Sequence, residues 1–378
     1  MPVPVAVPST MGLAARNLGQ DRLRFLLSVA GVGLALMLVL FLLGLREGAL
    51  RSSGVYLDNA PGSVAVLPPG VSTTSGARNA QLISAETIGT IGGVPGVGSL
   101  TPILLTMGFA DLHGTKELIR LAGYEPGSGG GPWSLHSGRE PREHGEVVVD
   151  RLLASRHGLR LGDRFEIGGH AMTVVGLSNG TSSWTGSYAF APKSAVESLL
   201  LREGAASIVL VTPDAGIDRS ELVERLAALG NSNVLLKSQV MANDRQVLAG
   251  AFDQVIMVMV AAAFVVGALV VGMVIYTATS ERRAEYGILK AIGAQSGVLY
   301  RIVVFQALAT AILGAALGVA FTYGAGALVG AVRPQYTLLI EPMAIAGVLA
   351  GGIVIAVTGA VVPARAIARL APAEVFRR

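Results

Sequence analysis

The sequence predicts a membrane α-helical protein with four transmembrane helices and an α+β extracytoplasmic domain inserted between the first and second spans. Three observations carry this. Of 378 residues, 52% are apolar and only 14% are charged, against about 25% charged in a typical soluble domain. The apolar residues gather in four uncharged runs, Phe25–Leu45, Gln254–Ser280, Ile302–Val332 and Pro342–Ala364, of 21, 27, 31 and 23 residues. Each is long enough to cross a hydrocarbon core that needs about 20. Between the first two runs lies Arg46–Asp253, 208 residues with 17 basic and 20 acidic side chains, enough chain to fold around its own core. An ordinary cytosolic enzyme is excluded.

Residues 1–24 form a short lead-in. Three Arg against one Asp in residues 1–25 put this end in the cytoplasm by the positive-inside rule. Transmembrane 1 (25–45) exceeds the 7–15 residues of a signal-peptide apolar region, and no small-x-small cleavage site follows, so it reads as an uncleaved anchor. It delivers the domain 46–253 to the outside, and transmembrane 2 (254–280) returns the chain to a loop at 281–301 with four basic and two acidic residues. Transmembrane 3 (302–332), an outer turn (333–341) and transmembrane 4 (342–364) lead to a tail (365–378) with four Arg and one Glu on the cytoplasmic side. The basic pI of about 9.5 thus reports topology, and no nucleic-acid partner is implied. No charge falls inside a span, so there is no sign of an ion pathway. Gly314-Ala-Ala-Leu-Gly318 and Gly326-Ala-Leu-Val-Gly330 have the spacing that lets helix backbones approach closely, within the chain or between copies.

In the outer domain, Ser63–Leu67, Leu100–Phe109, Ala206–Val211 and Asn233–Leu236 read as strands. Ser84 caps a helix through Ile91, and Asp218-Arg-Ser-Glu221 has capping-box spacing before a helix through Leu229. Two β-α-β halves therefore flank an inserted, strand-rich part near 145–177: strand 146–149, helix 151–157, strand 164–167, a turn at Gly168-Gly169 and strand 171–176. Residues 123–142, with Gly127, Gly129, Gly130 and Gly131 and no period, read as a mobile loop. The five histidines (113, 136, 144, 157 and 170) are scattered and read as surface residues rather than a metal site. Glu140, Glu143 and Glu146 read as a solvated face. No nucleophile elbow or Ser-His-Asp order is present, and no catalytic residue is assigned. Zero cysteines exclude disulfides and thiolate metal sites but leave the compartment open.

The loop Glu281-Arg-Arg-Ala-Glu-Tyr-Gly-Ile-Leu-Lys-Ala-Ile-Gly-Ala-Gln295, taken as a helix, joins Ile288, Leu289 and Ile292 in one apolar patch among Arg282, Arg283, Glu285 and Lys290. Such a helix lies in the headgroup layer or fills a groove on a cytoplasmic partner, and the pattern alone suits both.

This loop resembles the coupling segment of MacB/FtsX-type (type VII) ABC transporter permeases. That pattern runs Arg-x-x-Glu-(Ile/Tyr)-Gly-(Ile/Val)-Leu-(Lys/Arg)-Ala-(Ile/Leu)-Gly-Ala. The closing Pro363-Ala-Arg-Ala-Ile-Ala-Arg-Leu-Ala-Pro-Ala-Glu-Val-Phe-Arg377 is similar to the family's Pro-Ala-x-x-Ala-x-x-x-x-Pro-x-Glu-Ala-Leu-Arg, departing from it at Val375 and Phe376. Ala14-Ala-Arg-Asn-Leu-Gly-Gln-Asp-Arg-Leu-Arg24 resembles its lead-in, and the four-span plan covers the whole chain. Length and Tyr56-Leu-Asp-Asn-Ala-Pro-Gly62 look most like the DevC/HrtB-type branch.

The resemblance implies that Arg282, Arg283, Glu285, Gly287, Ile288, Leu289, Lys290, Ile292 and Gly293 dock an ABC ATPase subunit. It also implies a second permease copy, as a homodimer or a related heterodimer, in the lipid bilayer of a bacterial inner or plasma membrane. An extracytoplasmic adaptor is left open. No Gly-x-x-x-x-Gly-Lys-Ser/Thr loop occurs, so ATP and Mg belong to the partner, and this chain is neither an enzyme nor a cofactor carrier. Two functions follow. One is export or extraction of an amphipathic substrate (a lipid, a haem-like or a drug-like compound) by mechanotransmission, with Leu40, Phe41, Phe252 and Met257 as substrate-facing residues. The other is FtsX-like signalling that activates an outer protein such as a cell-wall hydrolase, which needs an exposed apolar patch on the outer domain. Met257, Met259 and Met273 suit a soft, flat ligand but need no role beyond that of span residues.

Overall fold

The computed structural model describes residues 22–79, 82–184, 186–281 and 296–368. These divide into a helical unit (the described residues through Glu47, Phe252–Val332 and those from Leu338) and a sheet unit (Gly48–Ala251 with Arg333–Thr337). The described residues begin with the long helix α1 (Arg22–Ser52), the short α2 (Val55–Asn59), β1 (Val64–Leu67), α3 (Thr74–Asn79) and α4 (Ala85–Gly92). The antiparallel hairpin β2 (Val97–Leu112) and β3 (Thr115–Tyr124), followed by β4 (Leu135–Gly138), leads to β5 (Glu146–Asp150), α5 (Arg151–His157), β6 (Arg164–Ile167) and β7 (His170–Ser178). Then come β8 (Ser182–Ser183), β9 (Gly186–Pro192), α6 (Lys193–Leu200), β10 (Ile208–Pro213), α7 (Arg219–Ala227) and β11 (Asn233–Leu236). Three long helices close the chain: α8 (Lys237–Glu281), α9 (Ser296–Val332) and α10 (Pro342–Ala368).

The sheet unit has two parts. Strands in the order β11-β1-β10-β2, all antiparallel, form a split β-α-β arrangement, as the two flanking halves require. Buried Val64, Val66, Val209 and Val211 meet Ile91 of α4 and Leu222 and Leu226 of α7 on one face. Both helices start where expected. The Ser84 side chain accepts from the Thr87 N–H at 3.2 Å, and Asp218 accepts from Ser220 and Glu221. The reciprocal half of the capping box is missing, because Glu221 accepts from Arg225 at 2.6 Å instead.

The second part closes on itself. β2 pairs with β3, β3 with β9, β9 with β5, β5 with β7, β7 with β6, and β6 returns to β2 at Ala110–Ile167 and Asp111–Glu166. This six-strand ring contains the inserted strands read from sequence, together with β3, β9 and the capping helix α6, which were not read. It is filled by Leu104, Ile119, Leu121, Val147, Val149, Phe165 and Val174, among others. A buried carboxylate ties it together. Fully buried Asp150 caps α5 through the Leu152 N–H at 2.8 Å. It also accepts from the Thr181 N–H (3.0 Å), Thr181 Oγ1 (2.7 Å) and Ser182 Oγ (2.6 Å).

Residues 123–142 are not a free loop. The Gly130 carbonyl accepts the Tyr56 hydroxyl at 2.8 Å, and the Trp133 ring lies 6.2 Å from Tyr56 and 6.0 Å from Phe190. A side chain at Gly130 would come within 3.0 Å of Thr101, and one at Gly131 would run into the Tyr124 ring. The glycines admit aromatic neighbours here, where composition alone suggests mobility.

In the helical unit, Phe25–Ser52, Lys237–Val270 and Val304–Val332 are long and apolar enough to cross a membrane, and Pro342–Thr358 is a shorter apolar stretch of α10. The chain is a multi-pass membrane protein. α1 and α8 run beyond their uncharged runs, because charge ends a hydrocarbon-compatible stretch without interrupting backbone hydrogen bonding. Val32, Leu36, Val39 and Leu40 pack with Ala263, Ala307, Ala311, Ala315, Val348 and Ala356. Gly314 and Gly318 are a crossing within the chain. A Cβ on Gly318 would sit 2.8 Å from the Gly33 carbonyl oxygen, and one on Gly314 would sit 2.7 Å from Val32. Gly330 has open space around it, and Gly326 faces the Leu338 side chain.

Candidate functional site

The expected ATPase-coupling residues (Arg282, Arg283, Glu285, Gly287, Ile288, Leu289, Lys290, Ile292 and Gly293) lie outside the described residues, between the end of α8 at Glu281 and the start of α9 at Ser296. Site geometry therefore comes from the other end of the spans.

There the four expected substrate-facing residues separate. Leu40 is 1% exposed and belongs to the helical core, so it offers no surface to a ligand in this arrangement. Phe41 and Phe252 are half-buried, and Met257 is 67% exposed. Met257 shares its exposure with Val255, Val258, Val265, Leu269 and Met273 of α8. Only 11% of the apolar window of α8 is buried in this chain, against 35% for α1. A helix so apolar and so little covered is stable only against lipid or another apolar surface.

Sequence reading missed an ion pair beside these residues. Arg46 donates to Asp253 through Nε at 2.5 Å and through Nη2 at 3.1 Å, a planar two-point fork between α1 and α8. The signal was present: Arg46 follows the first uncharged run directly, and Asp253 directly precedes the second. The segment before α10 is held to the same end of α1. The Leu339 N–H donates to the Gly44 carbonyl at 3.0 Å, and a Cβ at Gly44 would fall 3.1 Å from Leu338.

Within the sheet unit, a cavity of about 110 Å³ is lined by Ser53, Thr74, Arg120, Asp244, Leu248 and Ala251, among others. β3 supplies Arg120. The guanidinium stacks 5.5 Å from the centre of the Tyr188 ring and donates through Nη1 to the Tyr188 hydroxyl at 3.2 Å. Its Nε–H is buried and meets no acceptor among the described residues. Asp244 of α8 is 7% exposed and accepts from the Thr74 N–H at 3.0 Å and from Thr74 Oγ1 at 2.7 Å. Asp244, Leu248 and Ala251 follow at i, i+4 and i+7, which puts all three on one face of α8. No local motif announces this cavity, since its walls come from residues 53, 74, 120 and 244–251. A separate exposed apolar cluster lies on β2 and β3. Met107 and Phe109 (64% exposed) share one face, with Leu118 paired directly opposite Phe109.

The acidic cluster expected to be a solvated face includes a structural hub. Glu146 is buried, forks onto Arg139 and accepts the N–H groups of Arg142 (2.8 Å) and Glu143 (3.2 Å). The Arg139 bond, aided by those backbone donors, lowers its pKa to about 2. Tyr124 donates to Glu140 at 3.2 Å, and burial, then Glu140, raise its pKa. Among the described residues no three His, Asp or Glu side chains gather as a metal site.

Comparison with known proteins places this architecture. The profile of the MacB-like periplasmic core domain matches residues 25–229, and that of the FtsX-like permease C-terminal region matches residues 257–372. The macrolide export ATP-binding/permease protein MacB of Sodalis glossinidius is 22% identical over 398 residues, covering 97% of this chain and 60% of that protein. MacB 1 of Yersinia pseudotuberculosis is 31% identical over 114 residues, 30% of this chain and 18% of that protein. The chain thus spans less than two thirds of the length of these relatives. Among solved structures, the periplasmic region of MacB from Actinobacillus actinomycetemcomitans aligns with a TM-score of 0.39 and 15% identity, over 49% of this chain and 92% of that one. With the core-domain profile extending over more than half of the residues and the permease profile over the helices that follow, the chain belongs to the MacB/FtsX-type family of ABC transporter permeases.

Proposed function

We propose that this chain is a four-span permease subunit whose N- and C-termini are cytoplasmic, working as a pair of copies in a bacterial inner or plasma membrane. Its work is driven by ATP hydrolysis on a separate ABC ATPase docked at residues 281–295. The work is export or extraction of an amphipathic molecule, delivered by mechanical movement of α1 and α8 rather than through a polar tunnel. The observation that carries this reading is the unbroken course of both helices. Each is continuous from residues of the helical unit into residues of the sheet unit, and the Arg46–Asp253 fork joins them next to those junctions. A rigid helix transmits displacement along its axis, and a two-point ion pair makes two helices move together. Phe41, Phe252 and Met257 are the substrate-facing candidates that retain accessible surface.

Signal transduction to an outer protein is the second reading, and the exposed Met107–Phe109–Leu118 cluster favours it. The test is co-purification of the chain with its candidate ATPase from membranes, comparing native protein with Glu285→Arg and Gly293→Trp. The native chain should retain an ATPase that both variants lose. An ATPase that stays bound to both variants, or never binds, sinks the coupling assignment. Stimulation of that ATPase by amphipathic compounds favours the exporter, and stimulation only by an outer protein favours the transducer.

A further inference from the structure

Asn-Gly occurs once in the chain, at Asn179-Gly180. The pair forms the exposed bend between β7 and β8, with Gly180 at a φ of 71°. Three other asparagines have their amides occupied: Asn59, Asn233 and Asn243 donate to the carbonyls of Val55, Val71 and Ser72. The Asn179 side chain makes no hydrogen bond among the described residues, and the Gly180 N–H donates to no backbone carbonyl there. Even a Cβ built on Gly180 would meet nothing within 4 Å, and glycine has none, so its nitrogen is uncrowded. The bend is held on both flanks. The Asn179 N–H donates to the Ser134 carbonyl at 2.9 Å, and the Thr181 N–H and hydroxyl donate to buried Asp150 at 3.0 and 2.7 Å. A change of backbone length between those clamps reaches the carboxylate that ties the ring together.

We propose that Asn179-Gly180 is a self-modification site, at which water replaces the side-chain amide and the backbone is lengthened. The Gly180 nitrogen loses its proton and bonds to Cγ of Asn179. The Cγ–Nδ2 bond breaks, and Nδ2 leaves with that proton as ammonia. Water then opens the five-membered imide. Cleavage between the Gly180 nitrogen and Cγ leaves an aspartyl residue at 179. Cleavage between that nitrogen and the former main-chain carbonyl carbon leaves an isoaspartyl residue. One water enters, one ammonia leaves and nothing is oxidised or reduced. Both products carry a new carboxylate, and the isoaspartyl form adds one carbon to the main chain between the Ser134 and Asp150 clamps. The Thr181 donors are then displaced from Asp150, and the ring loosens in aged molecules, because a buried carboxylate that loses donors is destabilising. This holds whether or not the chain is a permease.

The test incubates the full chain, purified in a neutral detergent, in mildly alkaline buffer made with heavy-oxygen water, and follows its proteolytic peptides by mass. The peptide containing Asn179 should exchange its amide for an acid, take up one heavy oxygen and split into two chromatographic species. Peptides containing Asn59, Asn233 or Asn243 should lag by about tenfold or more, because the residue after each carries a Cβ that crowds the attacking nitrogen. Asn179→Gln keeps an exposed amide but needs a six-membered ring, and should stop the exchange. Aged native protein should unfold at a lower temperature than fresh protein by tryptophan fluorescence, while aged Asn179→Gln stays unchanged. Fresh Asn179→Asp adds the charge without the extra carbon and should melt with fresh native protein. No exchange at 179, a rate no faster than at the other asparagines, or a rate unchanged in Asn179→Gln overturns the site. Aged protein as stable as fresh, or fresh Asn179→Asp as unstable as aged protein, overturns its link to Asp150 through main-chain length. Co-purification of the ATPase is untouched by either result, so this inference and the permease reading fail separately.

Discussion

The two units of the chain solve the problem of internal polar groups in opposite ways. In the sheet unit, polarity is taken inside and its buried carboxylates are matched by donors: Asp150 collects four, Glu146 a fork and two backbone N–H groups, and Asp244 both donors of Thr74. The helical unit packs its core mainly with Val, Leu and Ala, its buried Thr310 and Thr322 bonding back to their own helix, and gains contact by removing side chains, as at Gly33, Gly314 and Gly318. A surface wetted by water makes a polar core affordable because unfolding exposes apolar area to water. Between helices in lipid that contrast disappears, and close packing of small residues takes over. One unit should therefore break when a hydrogen bond is lost, and the other when a methyl group is added.

The largest effect that would test this contrast is Asp150→Ala. It strands buried donors from α5 and the β7–β8 connection and should cost about 4 kcal/mol. Both tryptophans, Trp133 and Trp184, lie in the sheet unit, so their fluorescence should report a melting midpoint lowered by about 10 °C. Gly318→Ala comes next. Its methyl would stand 2.8 Å from the Gly33 carbonyl oxygen, an overpacking that costs about 2 kcal/mol. Circular dichroism of the helices should lose stability while the tryptophan transition stays in place. If the two signals shift together in both variants, the units unfold as one body and the contrast fails.

Smaller and conditional is Glu146→Gln. Because the folded carboxyl sits near 2 instead of 4.5, its ionised form stabilises the fold fully above about pH 4.5 and progressively less as pH falls toward 2. The melting-point gap between native and variant protein should be widest at neutral pH, narrow by pH 3, and close near pH 2. A gap independent of pH would mean the glutamine is disfavoured for reasons other than charge. Smallest of all is Gly330→Ala, where nothing approaches within 4 Å. In the isolated chain it should be neutral or stabilising by less than about 1 kcal/mol. If it instead weakens self-association on crosslinking in membranes, this stripe of α9 meets a second copy.

How much of this was legible in sequence follows from the range of the interactions involved. Ser84 and Asp218 announced their helices because a cap acts over three residues, and strands such as Val64–Leu67 and Glu146–Asp150 are bounded by clear turn residues. β3, with Lys116, Glu117 and Arg120 among its apolar residues, and β9, ending at Pro192, lack a clean alternation. They are strands because the ring around them closes, and that closure depends on pairings such as Ala110 with Ile167. The candidate cavity was invisible for the same reason. Arg120 and Asp244 are unremarkable in their own segments and acquire meaning only when β3 and α8 line one space.

Closure of the ring also governs how copies of this chain behave when crowded. Strand edges are templates for unwanted pairing between molecules, and among the described strands few are left to serve. β11 and β4 have four residues each and β8 has two, and β4 ends in Gly138 with a positive φ of 79° after an irregular pairing with β7. Membrane anchoring concentrates neighbouring molecules in a plane, where a long open edge would nucleate aggregates at any expression level. A sheet whose larger part closes on itself and whose remaining edges are short can be packed at high density with less of that hazard.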